Sequence, residues 1–313
     1  MKVFPLRWYR FRSLRVIVTV FFLLAAGMVE AAPNVPKARI AVLGGTFLND
    51  IIFHRDGLIQ SEFTIDTKVG KSPTIYYAEY EGLPFYYVDS HGGGKWLETW
   101  VALYDLGVEE AVGGATAGAI NRSMNVYDYV IPDDFIDLNI DRPIRIPHEV
   151  YRDPDAIPLP RFVPAVDTDI RDILLDETRK AILDNKKYED ISIHDGGVII
   201  QSRGGRFETV AEVEMMARMG GDVVTMSVGT EMAYSRMLGI NYANIIVISN
   251  PAEGRNQWDF SLMEELYPRV NPLSLDIVLA ALPRIAGLEG KPRVSDGLIN
   301  HPEMTSQPTD KKH

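Results

Sequence analysis

The stretch that decides the fold is Gly204–Gly254, GGRFETVAEVEMMARMGGDVVTMSVGTEMAYSRMLGINYANIIVISNPAEG. Three short polar clusters interrupt it: Arg206-Phe207-Glu208-Thr209, Met226-Ser227-Val228-Gly229-Thr230-Glu231, and Ser249-Asn250. Between them lie a helical pattern, an apolar run, a second helical pattern and a second apolar run. This alternation predicts an α/β unit with a polar cluster at each element end. Ligands of open α/β sheets bind just beyond the carboxyl ends of strands, so the stretch is expected to carry most of one small-molecule site. The helical spacing of Met215, Met216 and Met219 marks them as packing residues.

Upstream, Ala38–Leu43 reads as a first strand that ends in Gly44-Gly45-Thr46. Residues 57–90 alternate apolar and polar side chains, which predicts two or three strands. They end at Asp89-Ser90-His91-Gly92-Gly93-Gly94. Trp96 to Leu106 has helical spacing, with Trp96, Trp100, Leu103 and Leu106 on one face. Ala111 to Gly114 is expected as a short buried strand, followed by a small-residue loop from Ala115 to Asn121. Tyr129 to Pro132 leads into Asp133–Asp137. Residues 138–165, rich in Pro, Arg and Asp, lack periodicity and predict a long loop of the kind that carries function or moves. Thr168–Asp184 reads as a helix, Gly197–Gln201 as a strand, and Leu273–Leu282 as a closing helix. No internal repeat or domain linker interrupts the alternation, which predicts one α/β domain.

The 313 residues are 46% apolar and 24% charged, ordinary for a globular chain with a full core. Lys2, Arg7, Arg10, Arg12 and Arg15 precede the apolar run Val16–Met28, and Val29-Glu30-Ala31 follows it. These are the parts of a secretory signal peptide, and the run is shorter than the roughly 20 residues of a spanning helix. Residues 1–31 are therefore expected to be a cleaved signal peptide, the mature chain to start at Ala32, and the protein to be periplasmic or secreted. Residues 32–289 form the expected catalytic domain, and 290–313 a disordered tail. Loss of five basic residues and Glu30 takes the net charge from −11 to −15. Such an acidic chain without a basic run argues against nucleic acid and anionic membranes as partners. The absence of cysteine excludes thiol catalysis and Cys-based metal sites.

Seven pieces, in order, carry a family resemblance: Ile40–Thr46, Ser90-His91-Gly92, Ala115-Thr116-Ala117-Gly118, Val130–Asp137, Gly204–Thr209 with Ala211-Glu212, Gly221–Ser227 with Glu231, and Ser249-Asn250. The chain resembles the trimeric purine nucleoside phosphorylase and methylthioadenosine phosphorylase family. The resemblance implies a single α/β domain with a central mixed, twisted sheet flanked by helices. It also implies a homotrimer and phosphorolysis of a purine nucleoside. No metal or organic cofactor is implied, only inorganic phosphate as co-substrate.

Residue by residue, the resemblance implies that Thr46, His91, Ala117 and Ser227 meet phosphate. Met226 packs under the ribose, and Ala117 and Gly118 form a backbone wall. Phe207 lies along the purine, and Glu208 accepts from N1–H of a 6-oxopurine. Asn250 donates to N7 and O6, where leaving-group charge collects. With His91 it makes the expected catalytic pair. The methylthioadenosine branch has aspartate at the position of Asn250, so this chain leans to 6-oxopurines. For the sugar 5′ end, Asn256, Gln257 and Trp258 are all candidates. One departure concerns phosphate. The family usually has arginine directly before the histidine, and here that residue is Ser90, with Lys95 and then Arg203 as candidate replacement cations. Methylthioadenosine phosphorylase, a phosphate-independent nucleoside hydrolase, and a non-catalytic purine binder on the same fold are the alternatives.

Overall fold

Isoleucines and valines that are buried on both sides of a strand read as continuous apolar runs. Ile40–Leu43 (β1) is such a run, with all four residues buried. The computed structural model describes residues 35–291 except 140, 144, 154–158 and 260. The expected signal peptide, Ala32 and the tail beyond Lys291 lie outside the described residues. After β1 come Ile59–Phe63 (β2), the two-residue strands Asp66–Thr67 (β3) and Gly70–Lys71 (β4), Ile75–Tyr80 (β5) and Leu83–Val88 (β6). Trp96–Asp105 (α1) leads to Glu110–Ala119 (β7), Tyr129–Ile131 (β8), Asp134–Asp137 (β9) and Thr168–Leu183 (α2). Ile193–Asp195 (β10), Val198–Gln201 (β11), Val210–Arg218 (α3), Val223–Thr225 (β12), Val228–Met237 (α4), Asn241–Pro251 (β13) and Leu262–Ala286 (α5) complete the order.

The strands form a mixed, twisted sheet ordered β10-β8-β13-β7-β1-β6-β5-β2, with β12, β11 and β9 branching from the carboxyl end of β7. β13, β7, β1 and β6 run parallel, and β8, β12 and β5 pair antiparallel to this centre. Helix α2 packs against α5 and β13, while α4 packs against α1 and β13. The core lies between these helices and the sheet, and Ile245 to Ile248 of β13 are fully buried in it. Residues 36–291 belong to one compact unit.

Local chemistry explains the helix starts. The Asp167 carboxylate accepts from the Ile170 N–H at 3.0 Å and caps α2. Thr209 and Glu212 form a capping box at α3. Arg206 grips Glu212 with two bonds of 2.7 and 2.8 Å. Arg206 thus stabilises a helix start rather than facing a ligand.

Several expectations need correction. The segment from Ala115 to Ala119 is not a loop but the second half of the ten-residue β7, because β13 and β12 both pair with it. Its small residues suit a strand that neighbours approach closely. The closing helix begins at Leu262, eleven residues before the expected start, and holds Pro268 and Pro272 inside it. Of the three methionines expected to pack, only Met216 is core, and Met219 lies just past the end of α3. Met215 and Met219 are 46% and 43% exposed, while Val213, Met216 and Ala217 form the packed face.

Candidate active site

One large cavity, about 740 Å³, opens where β7, β12 and β13 end. Register sets its floor. β13 follows β7 pair by pair to Ile248↔Ala117, then a bulge at Ser249 brings Asn250 beside Gly118. β12 lies on the other side, with Val224 opposite Gly118. Gly118 is therefore clasped between two strands. A β-carbon there would sit 3.2 Å from Val224 and 3.3 Å from the Asn250 amide nitrogen. The Ser249 hydroxyl, with its single proton, lies 2.7 Å from the Asn250 amide oxygen and 3.2 Å from the Ala117 carbonyl, and donates to the nearer. Asn250 in turn donates one of its two amide protons to the Pro251 carbonyl at 2.9 Å. The amide is held rigidly, and one N–H is left for a ligand.

Two residues earlier along β7, Thr116 meets Thr46. The Thr46 hydroxyl accepts from the Thr116 N–H at 2.9 Å and lies 2.7 Å from the Thr116 hydroxyl. His91 joins this end. Its N–H bonds the Gly44 carbonyl at 2.7 Å. Its Nε2 edge packs on Gly45 so closely that a β-carbon there would lie 2.2 Å away. Its Nδ1 lies 2.7 Å from Oε1 of Glu231, which is 1% exposed. Tyr242 donates to the other Glu231 oxygen at 2.5 Å. Burial pushes the Tyr242 hydroxyl well above its ordinary pKa, and the Glu231 carboxylate adds to the shift. The phenol therefore keeps its proton and donates, so Glu231 is an acceptor on both sides. His91 accordingly carries its proton on Nδ1 and offers Nε2 toward Gly45.

The backbone at His91 is unusual. Ser90, His91, Gly92, Gly93 and Gly94 all have positive φ, from 47° to 90°. This is a short left-handed turn, costly for Ser90 and His91 and free for glycine. It explains the glycine triplet, and it orients the imidazole.

All nine expected site residues line this one cavity: Thr46, His91, Ala117, Gly118, Phe207, Glu208, Met226, Ser227 and Asn250. Phe207, 50% exposed, meets Trp258 edge to face at 4.7 Å between centroids. Of the three 5′-end candidates, Trp258 lines the cavity, with Met263 and Tyr267 of α5, and Asn256 and Gln257 do not.

The expected replacement cations do not serve. Lys95 donates to the carbonyls of Lys71 and Ser72, at 3.1 and 3.4 Å, and is not in the lining. Arg203 is in the lining but its guanidinium is clamped on Asp141, one bond being 3.0 Å. Sequence reasoning missed Arg142 and Trp96. Trp96 was expected in the apolar helix face with Trp100, yet it lines the cavity and stacks on His91 at 5.7 Å. The Arg142 guanidinium lies 3.8 Å over the Trp96 ring.

The family model of the phosphorylase superfamily matches residues 96–283. The chain belongs to the phosphorylase superfamily. Among relatives of this superfamily member, the 6-oxopurine nucleoside phosphorylase of Pyrococcus furiosus is 30% identical over 260 residues, covering 79% of this chain and 93% of the relative. A probable S-methyl-5′-thioinosine phosphorylase of Methanothermobacter thermautotrophicus is 27% identical over 257 residues, covering 78% and 83%. A methylthioadenosine phosphorylase from an antarctic soil metagenomic library shares the fold with a TM-score of 0.69 at 20% identity, over 84% of this chain and 91% of that one.

Proposed function

We propose that this protein is a purine nucleoside phosphorylase, a pentosyltransferase that uses phosphate to cleave 6-oxopurine nucleosides. One observation carries the reading. A single cavity holds a hydroxyl and imidazole cluster (Thr46, Thr116, His91, Ser227) and a base-reading set (Phe207, Glu208, Asn250). Thr116 and Gly118 are two residues apart on β7, about 7 Å at strand rise. That is a span a ribose can bridge between phosphate and base.

In the proposed reaction a phosphate oxygen attacks the anomeric carbon as the bond from that carbon to N9 breaks. The sugar becomes cation-like and the purine anion-like. Asn250 then donates to N7 where charge collects, and Glu208 accepts from N1–H, so fixed donors and acceptors meet developing charge without reorganising. Met226 packs under the sugar. The reading calls for phosphate as co-substrate and for no metal or organic cofactor. The 6-oxopurine preference rests on Asn250 and is shared by the names of the two relatives.

A second reading concerns the 5′ substituent only. The Trp258 and Met263 side chains beside the cavity would suit a methylthio group as well as a hydroxymethyl group. The assay therefore uses inosine, 5′-methylthioinosine and methylthioadenosine, each with and without phosphate, and follows free base. Release from the two 6-oxopurine substrates only with phosphate is the expected result. Equal release without phosphate makes the protein a hydrolase, and binding without release makes it a purine binder. Preferred cleavage of methylthioadenosine removes the 6-oxopurine assignment.

We also propose export and a homotrimer, from the leader sequence and the resemblance respectively. An N-terminal sequence starting at Ala32 on protein from the periplasm or medium supports export, and the intact leader on cytoplasmic protein contradicts it. Sedimentation at three times the mature mass supports the trimer.

A further inference from the structure

The cavity poses a charge problem. Ser90, which replaces the arginine of the resembling family, donates only to the neighbouring Asp89 carboxylate at 3.0 Å. His91 is tied to Glu231, so the pair is neutral at best when the imidazole is protonated. Glu208 and Glu253 add negative groups to the wall. Arg203 is neutralised by Asp141, and Lys95 is elsewhere. A phosphate dianion needs a cation, because charge-assisted hydrogen bonds are roughly twice as strong as neutral ones.

We propose that Arg142 is the phosphate-binding cation of this site. Resting on the phosphorylase reading, the proposal adds the residue that the sequence left unassigned. Its guanidinium bonds the Thr230 hydroxyl and the Met226 carbonyl, both neutral acceptors. Among the described residues, two of its five N–H donors are used in this way. The Met226 carbonyl belongs to the peptide that leads into Ser227, so the charge is set beside that phosphate-contact candidate. Trp96 then links it to His91, since the same indole carries the guanidinium at 3.8 Å and the imidazole at 5.7 Å.

The three residues 141–143 are each fixed. Arg203 clamps Asp141, Arg142 is held by Met226 and Thr230, and Tyr234 donates to the Pro143 carbonyl. Arg142 is thus presented at a set place, and Arg203 acts through Asp141 as a positioning residue rather than a phosphate ligand. Burial pushes the guanidinium below its ordinary pKa, with Asp137 and Glu231 opposing, which is the behaviour of a cation in a half-closed wall.

The test compares wild type, Arg142→Met, Arg142→Lys and Arg203→Met. Phosphate and inosine KM are measured, and inorganic phosphate is titrated calorimetrically into each protein without nucleoside. For Arg142→Met, phosphate KM and Kd should rise about ten- to a hundredfold, the loss expected of a charge-assisted pair, while inosine KM changes less than threefold. Arg142→Lys should recover part of the loss, because a point charge replaces a fork. Arg203→Met should weaken phosphate less than Arg142→Met does. Unchanged phosphate Kd in Arg142→Met, equal rises in both KM values, or a larger effect of Arg203→Met overturns the proposal. If Arg142→Met does not fold, Arg142→Lys decides: a phosphate Kd at least threefold weaker supports it and an unchanged Kd overturns it. Base release by wild type without phosphate would end the phosphorylase reading, but the titration would still decide the role of Arg142. A wild type that binds no phosphate overturns the Arg142 proposal as well.

Discussion

Asn250 has one amide proton committed to Pro251 and its oxygen committed to Ser249, so the remaining N–H is the group with a choice of partner. Replacing that amide by a carboxylate changes what the base must look like. Asn250→Asp puts an acceptor, or a proton donor when protonated, where N7 of the purine is expected. Cleavage of inosine should fall about a hundredfold in kcat/KM, roughly the 2.7 kcal/mol of one lost transition-state donor, while adenine nucleosides gain relative to inosine. Steady-state rates on inosine and adenosine check this, and an unchanged ratio would remove Asn250 from base recognition. At this scale the sequence was informative where chemistry is local. Glu208 and Asn250 sit at element ends, where ligands bind in this architecture, and their positions could be anticipated. Arg142 and Glu231 could not, for opposite reasons. Arg142 lies in a segment without periodicity, and its place depends on bonds, its own and those of its neighbours Asp141 and Pro143, that span 62 to 91 positions. Glu231 belonged to a resemblance motif but had no role assigned, and only the fold brings Tyr242 and His91 to its two oxygens.

Strand β7 shows what one element demands of its side chains. At Gly114 a β-carbon would lie 2.4 Å from the Ile245 carbonyl and 2.9 Å from the Phe47 ring. Backbone cannot give way there, so Gly114→Ala should destabilise by about 3 kcal/mol, as overpacked cores do. Gly118→Ala meets only 3.2 to 3.4 Å contacts, with a valine methyl, the Asn250 amide and Ala252. It should cost about 1 kcal/mol or less yet lower activity markedly, because the Asn250 amide is what must move. Chemical denaturation and inosine turnover, measured on both variants, separate the two effects. Reading the second half of this strand, from Ala115, as a loop was a natural error, since small residues carry no apolar periodicity. The close neighbours that require them come from distant sequence. Pro268 and Pro272 hid the first half of α5 in the same way, because local propensity there opposes the helix that tertiary packing imposes. The capping box of α3 was written more openly in Thr209 and Glu212. Arg206 holds the Glu212 carboxyl at about 2, against an ordinary 4.5, the Thr209 backbone N–H helping. A depressed carboxyl contributes to stability above pH 4.5 and loses that contribution as pH falls through about 2. Carboxyl-carbon NMR should find the midpoint near 2 in the native protein and return it toward 4.5 in Arg206→Met.

For the molecule as a whole, the alternation of apolar runs and helical patterns was enough to reach one α/β domain. Its parallel centre and antiparallel margins follow from register that no single stretch contains. The order of seven motifs carried the rest, because six of them contribute residues to one cavity, Val130–Asp137 being the exception. Convergence has a thermodynamic consequence. A ligand held by β1, β7, β12 and β13 termini together binds only the folded chain. Inorganic phosphate at a hundred times its Kd should therefore stabilise the protein by about 2.7 kcal/mol. Calorimetric melting in phosphate against chloride of equal ionic strength checks this, the expected result being a midpoint that climbs with phosphate alone.

The turn that carries His91 has a handedness, and that sets a rule about mirror images. At Gly93 φ is 61°, and a β-carbon there would touch nothing within 4 Å. What forbids a side chain is chirality rather than room. L-alanine at this position should cost about 1–2 kcal/mol. D-alanine, introduced by chemical ligation, has its energy minimum where this backbone already is and loses fewer unfolded conformations than glycine. The enantiomer foreign to the ribosome should thus give the more stable protein, with His91 unmoved.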